Sequence, residues 1–165
     1  MEKKKIVVTD PRYIMSNEDW TKCCDAADKQ RDEHKQEWEE AFHEIVTQRL
    51  TELSGHKAYA TSTGFGDWDN DIDGQSFCAD SGMVCVCYLT DEMQKMLDES
   101  PNKGIAAIIT VEGDIKVNFD YSNLDWTVVE IEDSAGNFFR SYDPGDEEDE
   151  DEEYEDEEVS SSSFL

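Results

Sequence analysis

Asp69, Asp71, Asp73, Gly74 and Asp80 fall at positions 1, 3, 5, 6 and 12 of the calcium-loop pattern D-x-D-x-D-G-x5-E, with aspartate in the last place. Calcium takes about six to eight oxygen ligands, and a loop that turns sharply at a glycine aims that many inward. Asp69, Asp71, Asp73 and Asp80 are therefore the candidate metal ligands. Their flanks do not match a helix-loop-helix hand. Strand and glycine-turn residues precede them, and the apolar run Met83 to Leu89 that follows reads as a buried strand. Asp80 is also shorter than the bidentate glutamate on which the pattern ends. The competing reading is a hairpin-like turn whose aspartates hydrogen-bond their own backbone.

Other chemistry is sparse. The acid-base candidates are His34, His43 and His56; the first two lie on a charged helical stretch and are expected to face solvent, and His56 follows the helix stop. No serine or cysteine sits in a nucleophile elbow, no phosphate loop is present, and Gly64-Phe65-Gly66 is too short for a dinucleotide fingerprint. A small hydrolase would have to use Asp67 and Asp80 as a carboxylate pair. The five cysteines, Cys23, Cys24, Cys78, Cys85 and Cys87, lack C-x-x-C spacing, and no signal peptide is read ahead of them. They are expected to be reduced cytosolic thiols, with Cys85 and Cys87 as small apolar filler on one strand face. No catalytic residue is assigned, the protein is read as a non-enzyme, and no cofactor is expected, with calcium at Asp69 to Asp80 as the alternative.

Charge is the strongest signature. The 165 residues carry a formal charge of −28, from 42 acidic and 14 basic side chains. Asp143 to Glu158 holds 13 of the acids and no Lys or Arg, so the rest of the chain still has 29 acids against 14 bases. An acidic tail on a basic body competes with nucleic acid for the body's own groove; here the body is acidic too. Such a field repels nucleic acid and anionic membrane surfaces, and no apolar run reaches membrane-spanning length. The partners it favours are basic proteins.

The elements that must position these groups follow from periodicity. Lys3 to Val8 is a short apolar strand stopped at Asp10-Pro11, after which Arg12 to Met15 reads as extended. Ser16 with Asp19 reads as a capping box that opens a helix near Asn17. Apolar positions at Trp20, Cys24, Ala27, Trp38, Ala41, Phe42, Ile45, Val46, Leu50 and Leu53 mark a helical core face ending at Ser54-Gly55. The polar stretch Lys29 to Lys35 leaves one long helix or two meeting near Asp32. Lys57 to Ser62 and Met83 to Leu89 read as strands, and Thr90 caps a helix over Asp91 to Glu99. Ile105 to Val111 and Ile115 to Phe119 read as a hairpin about Glu112-Gly113-Asp114, followed by a strand from Trp126 to Ile131 and a turn at Ser134 to Asn137. The expected fold is α+β: a long N-terminal helix, or two, packed on a mainly antiparallel sheet, as one domain over 1–142. Residues 143–165 are expected to be a disordered acidic tail, since self-repelling carboxylates bury nothing that offsets chain entropy.

Asp10-Pro11-Arg12-Tyr13-Ile14 with Trp20, then Ala60 to Asp67 (ATSTGFGD), then Phe77 to Met83 (FCADSGM), resemble a family of small, uncharacterised bacterial and phage proteins. The family pattern is an Asp-Pro-Cys-Tyr segment, a Thr-x-Tyr-Gly-Asp-Gly turn and a Val-Asp-Ala-Gly segment leading into a strand. The match spans most of residues 5 to 131 and departs at Arg12, where cysteine is usual, and at Trp68, where glycine is usual. The resemblance implies an α+β fold and a prokaryotic or phage origin, with Asp67 and Asp80 as scaffold residues, and it implies no activity.

Together these features point to a cytoplasmic, phage-encoded interaction protein that presents carboxylates to a basic, nucleic-acid-binding host protein and modulates or inhibits it as a nucleic-acid mimic. The expected partner-binding residues are Glu147, Glu148, Asp149, Glu150, Asp151, Glu152, Glu153, Glu155, Asp156, Glu157 and Glu158. Phe164 and Leu165 lie beyond a serine spacer and are expected to add specificity beside the terminal carboxylate. A calcium-binding module on Asp69 to Asp80 and a small hydrolase are the alternatives.

Overall fold

Ile6, Val7 and Val8, in the middle of strand β1 (Lys3–Thr9), are all fully buried although successive strand residues point to opposite sides. Both faces of the sheet that β1 joins must therefore be covered. A computed structural model describes residues 2–34, 37–63, 68–122 and 127–142 and shows how this is done. β1 lies between β5 (Met83–Tyr88) and β6 (Ala106–Glu112), with β2 (Tyr59–Ser62) outside β5, in the order β2-β5-β1-β6. Every pairing is antiparallel. All six residues of β5 are buried, which is what its near-continuous apolar run requires of a strand covered on both sides.

One face of this central sheet presents Ile6, Val8, Val84, Val86, Ala107, Ile109 and Val111. It is covered by β3 (Trp68–Ile72) and β4 (Gln75–Ala79), and by a second sheet of β7 (Ile115–Asp120), β8 (Val128–Asp133) and β9 (Phe138–Arg140). Ile72, Phe77, Ala79, Ile115, Val129 and Ile131 fill the gap from that side. Asp71 and Tyr142 exchange two backbone hydrogen bonds of 2.9 Å, tying the two smaller sheets edge to edge. The other face presents Val7, Cys85 and Cys87 to the helices α1 (Asn17–His34), α2 (Trp38–Ser54) and α3 (Asp91–Glu99). The molecule is thus an α+β protein with helices on one side of a mainly antiparallel core. Cys85 and Cys87 are the apolar filler expected of them, and all five thiols are free.

Local signals set the helix ends. Ser16 Oγ accepts the Asp19 N–H at 3.1 Å at the start of α1. The polar segment after Lys29 offers no apolar stripe to hold a continuous rod against the sheet, and two helices result. Gly55 takes φ 77° and donates its N–H to Thr51 O at 2.9 Å, closing α2 with the left-handed residue that glycine adopts without strain. Thr90 Oγ1 accepts the Met93 N–H at 3.1 Å at the start of α3. Thr90→Ala is expected to lower stability by about 1 kcal/mol, read as a shift in urea midpoint at unchanged slope.

Two expectations are corrected. Pro11–Tyr13 forms one turn of 3-10 helix where Arg12 to Met15 reads as extended, because the Asp10 carboxylate caps the Arg12 N–H at 2.8 Å and Pro11 stands where no donor is needed. The segments around Gly113 are both strands but do not pair: β6 pairs with β1, and β7 pairs with β8. Gly113 (φ 75°) donates to Glu2 O at 2.9 Å, and the Asp133 carboxylate accepts the Glu112 N–H at 2.8 Å, so the chain turns a corner from the central sheet into the covering layer. Val111 and Ile115 then meet in the same interlayer core. Asp133 also accepts from Asn137 Nδ2 and from the Ala135 and Asn137 N–H groups; these donors, the Asn137 side chain foremost, hold its carboxyl below the usual carboxylate range. No helix among the described residues is long and apolar enough to cross a membrane.

Candidate functional site

The calcium-pattern residues lie on a β-hairpin. β3 and β4 pair Asp69 with Cys78 and Asp71 with Ser76, and Asp73 and Gly74 make the two-residue turn with φ of 53° and 72°. Positive φ at both turn residues is the geometry that matches strand twist, and Asp-Gly is a preferred sequence for it. Asp73 is therefore at the tip, whereas Asp80 lies beyond the far end of β4, roughly 20 Å along the strand. Asp71 accepts the Ser76 hydroxyl at 2.8 Å. The structure does not bring the four carboxylates together, and among the described residues no group of three or more His, Cys, Asp or Glu side chains is placed to hold a metal.

Asp10 and Ser81 are brought together instead. Asp10 is fully buried, and its carboxylate takes four donors: Oδ1 accepts the Arg12 N–H (2.8 Å) and the Ser81 hydroxyl (2.8 Å), and Oδ2 accepts the Asp80 N–H (2.8 Å) and the Ser81 N–H (2.7 Å). Its own N–H donates to Cys78 O at 3.1 Å. One side chain thus joins the Asp-Pro turn after β1 to the Ala-Asp-Ser-Gly turn before β5. Thr63 N–H donates to Gly82 O at 2.9 Å, adding the end of β2 to the same junction. Such a saturated carboxylate has no lone pair left for a substrate proton, so its work is to position the turns.

Around this hub, Tyr13 donates its hydroxyl to Asp80, and Cys78 Sγ lies 3.9 Å from the same hydroxyl. Burial pushes the Cys78 thiol up to about 11, so it is no nucleophile at neutral pH. Burial, then the bond to Asp80, raises the Tyr13 phenol well above its ordinary value. A raised pKa means that the folded state favours the neutral phenol. Its contribution to stability is complete below the ordinary tyrosine range and is lost progressively as pH rises above that range toward the raised value. Ultraviolet titration is expected to show Tyr13 staying protonated after exposed tyrosines have ionised, and Tyr13→Phe is expected to remove that late step. Asp67, the other half of the expected carboxylate pair, lies outside the described residues.

Beside the hub, the first turns of α1 and α2 and the start of β5 enclose a cleft of about 350 Å3. Its aromatic wall is Trp20, Trp38 and Phe42: Trp38 stacks on Phe42 at 4.8 Å and 12°, and Trp20 meets Phe42 edge-on at 5.1 Å and 84°. The Trp38 indole N–H donates to Asp28 at 2.8 Å, and the Arg12 guanidinium lies 5.4 Å above the Trp20 ring. Glu39, His43 and Ser81 complete the rim. His43 is half-buried here where the sequence reading has it facing solvent, because packing Phe42, Val46 and Leu50 on the sheet brings its neighbour to the cleft edge. Desolvation lowers its pKa and disfavours the charged ring. His56 stacks against Tyr88 at 4.5 Å; the His34 side chain lies outside the described residues.

Reading Trp38 and Phe42 as core residues holds fully for Phe42 alone, since both tryptophans stay partly exposed.

Around the cleft, α1 and α2 together carry ten carboxylates and four bases. Each base is held by the helices' own acids: Lys22 by Glu18, Lys29 by Glu33, Arg31 by Asp28 and Asp32, and Arg49 by Asp19 and Glu52. The residues expected to bind a partner, Glu147 to Glu158 with Phe164 and Leu165, lie outside the described residues. Compared with known proteins, the chain matches no family model, no curated protein and no solved structure.

Proposed function

We propose that this is an acidic interaction protein, phage-encoded and acting in the host cytoplasm, that binds a basic nucleic-acid-binding protein and inhibits or modulates it by standing in for nucleic acid. The observation that carries this reading is the excess charge of the helical layer, ten carboxylates whose four counter-charges are already engaged. Glu18, Asp25, Asp28 and Asp32 fall on one face of α1 and are exposed, with the last three about 4.5 to 6 Å apart along the axis; Glu18 pairs with Lys22, and Asp28 and Asp32 share Arg31, so the row stays net negative with four carboxylates against two bases. A rigid row of charges at that spacing releases counterions from a basic groove as phosphates do. The acidic run from Asp143 to Glu158 extends the same field.

In this reading no residue is catalytic and the protein does not itself bind nucleic acid. The test is competition. A basic protein captured from a bacterial lysate on the full chain is expected to lose its nucleic-acid binding as this protein is added, and excess duplex is expected to release it. A captured protein that holds both at once would overturn the mimicry.

A further inference from the structure

We propose that the cleft between the first turns of α1 and α2 receives an arginine side chain of the basic partner; the idea rests on the function proposed above and names its anchor. A guanidinium is flat, weakly hydrated on its faces and rich in donors at its edge, so it suits a site with aromatic walls and a carboxylate rim. Trp20, Trp38 and Phe42 supply the walls, and Glu39 stands on the rim. Trp20 already takes the guanidinium of Arg12 over its ring at 5.4 Å, so this chain itself shows the pairing.

Three further features favour a positive occupant. Asp28 is held at the wall by the Trp38 indole N–H. The fields of Asp28 and Asp25 reach the Cys24 thiol inside the cleft and raise its pKa, after burial, against a smaller opposing effect of Arg12. Desolvation lowers the pKa of His43, against a smaller opposing effect of Glu39, and so disfavours the charged ring that would repel a cation. The volume, about 350 Å3, lies at the small end of ligand clefts and fits one long side chain rather than a helix or a strand. A neutral aromatic occupant would make no use of the carboxylates, of which Asp28 already pairs with Arg31 at 3.9 Å, and a lysine would have to shed a tightly held hydration shell for stacking that it exploits poorly.

The experiment uses the full chain with hexa-arginine and hexa-lysine peptides at physiological ionic strength, followed by calorimetry and by the indole N–H resonances. The acidic surface attracts both peptides, while the cleft distinguishes them. Hexa-arginine is expected to bind about fivefold to tenfold more tightly and to shift the indole signal that disappears in Trp38→Phe. Glu39→Gln, at an exposed position that folding tolerates, is expected to remove much of this preference; Trp38→Leu is expected to abolish it while hexa-lysine binding stays nearly constant. Equal affinities, an unmoved Trp38 signal, a preference that survives both substitutions, or uptake of an uncharged aromatic peptide in place of hexa-arginine would overturn the arginine site. In those cases salt-sensitive binding of both peptides would leave the charge-based function standing. Failure of both peptides to bind would remove that function as well.

Discussion

Asp10→Asn is expected to lower the unfolding free energy by about 3 kcal/mol or more, the largest effect expected of any single polar substitution in this chain. The native carboxylate accepts four donors at 2.7 to 2.8 Å in a fully buried site. An asparagine of the same shape replaces one oxygen with an NH2 group, so two donors that faced an acceptor now face another donor. Each buried N–H or O–H left without a partner costs about 1–3 kcal/mol, and the charge-assisted character of the remaining bonds is lost too. Ser81→Ala removes a single donor and leaves the backbone bonds, so a loss of about 1 kcal/mol is expected there. Urea denaturation of the two variants beside the parent measures both. Equal stability of Asp10→Asn and the parent would mean that the junction of the two turns does not depend on this residue.

The second large effect concerns salt. Binding of the basic partner is expected to weaken by about a hundredfold or more between low salt and half-molar salt, because displaced counterions and screening act on every exposed charge pair. The Debye length is about 8 Å at physiological ionic strength and roughly halves at half-molar salt, so the reach of the exposed α1 row contracts while any apolar anchoring remains. Comparing the full chain with chains ending at Ser163 and at Tyr142 apportions the effect. A shallower salt slope for the Tyr142 chain assigns charge pairs to Asp143 to Glu158, and a slope unchanged by either truncation assigns them to the helical layer. Affinity level across the whole salt range would sink the electrostatic reading and leave the aromatic cleft as the contact.

Signals confined to a few neighbouring residues were legible in the sequence. The Ser16 cap, the Gly55 stop, the Thr90 cap and the unbroken apolar run of β5 each depend on local geometry, and each stands in the structure where its residues place it. The pairing of β6 with β1 rather than β7 was not legible, because a glycine turn between two alternating segments serves a hairpin and a corner between stacked layers equally well. At the calcium pattern the sequence left two readings open, an ion-binding loop and a hairpin-like turn. Aspartates at alternate positions with a following glycine suit an ion-binding loop, and the ladder from Trp68 to Ala79 instead turns that glycine into a hairpin tip. Asp10 escaped notice as a hub because its four donors come from two segments about seventy residues apart. The cleft required knowing that the helical stretch divides into α1 and α2 and folds back, which brings Trp20 and Trp38 to the same phenylalanine.

The central place of β1 between β5 and β6 bears on how the chain reaches its native state during synthesis. Ile6 faces Tyr88 on one side and Ile109 on the other, so its first neighbour is made about eighty residues after it and its second about a hundred. Until then Ile6, Val7 and Val8 form an apolar segment with two open edges, the kind of surface on which nascent chains stick to one another. Lys3, Lys4 and Lys5 immediately precede it and act as charged gatekeepers at its end. The acidic residues emerging behind it repel other copies of the same chain, so the charge proposed to draw in a partner also protects the protein while its first strand waits for its last neighbour.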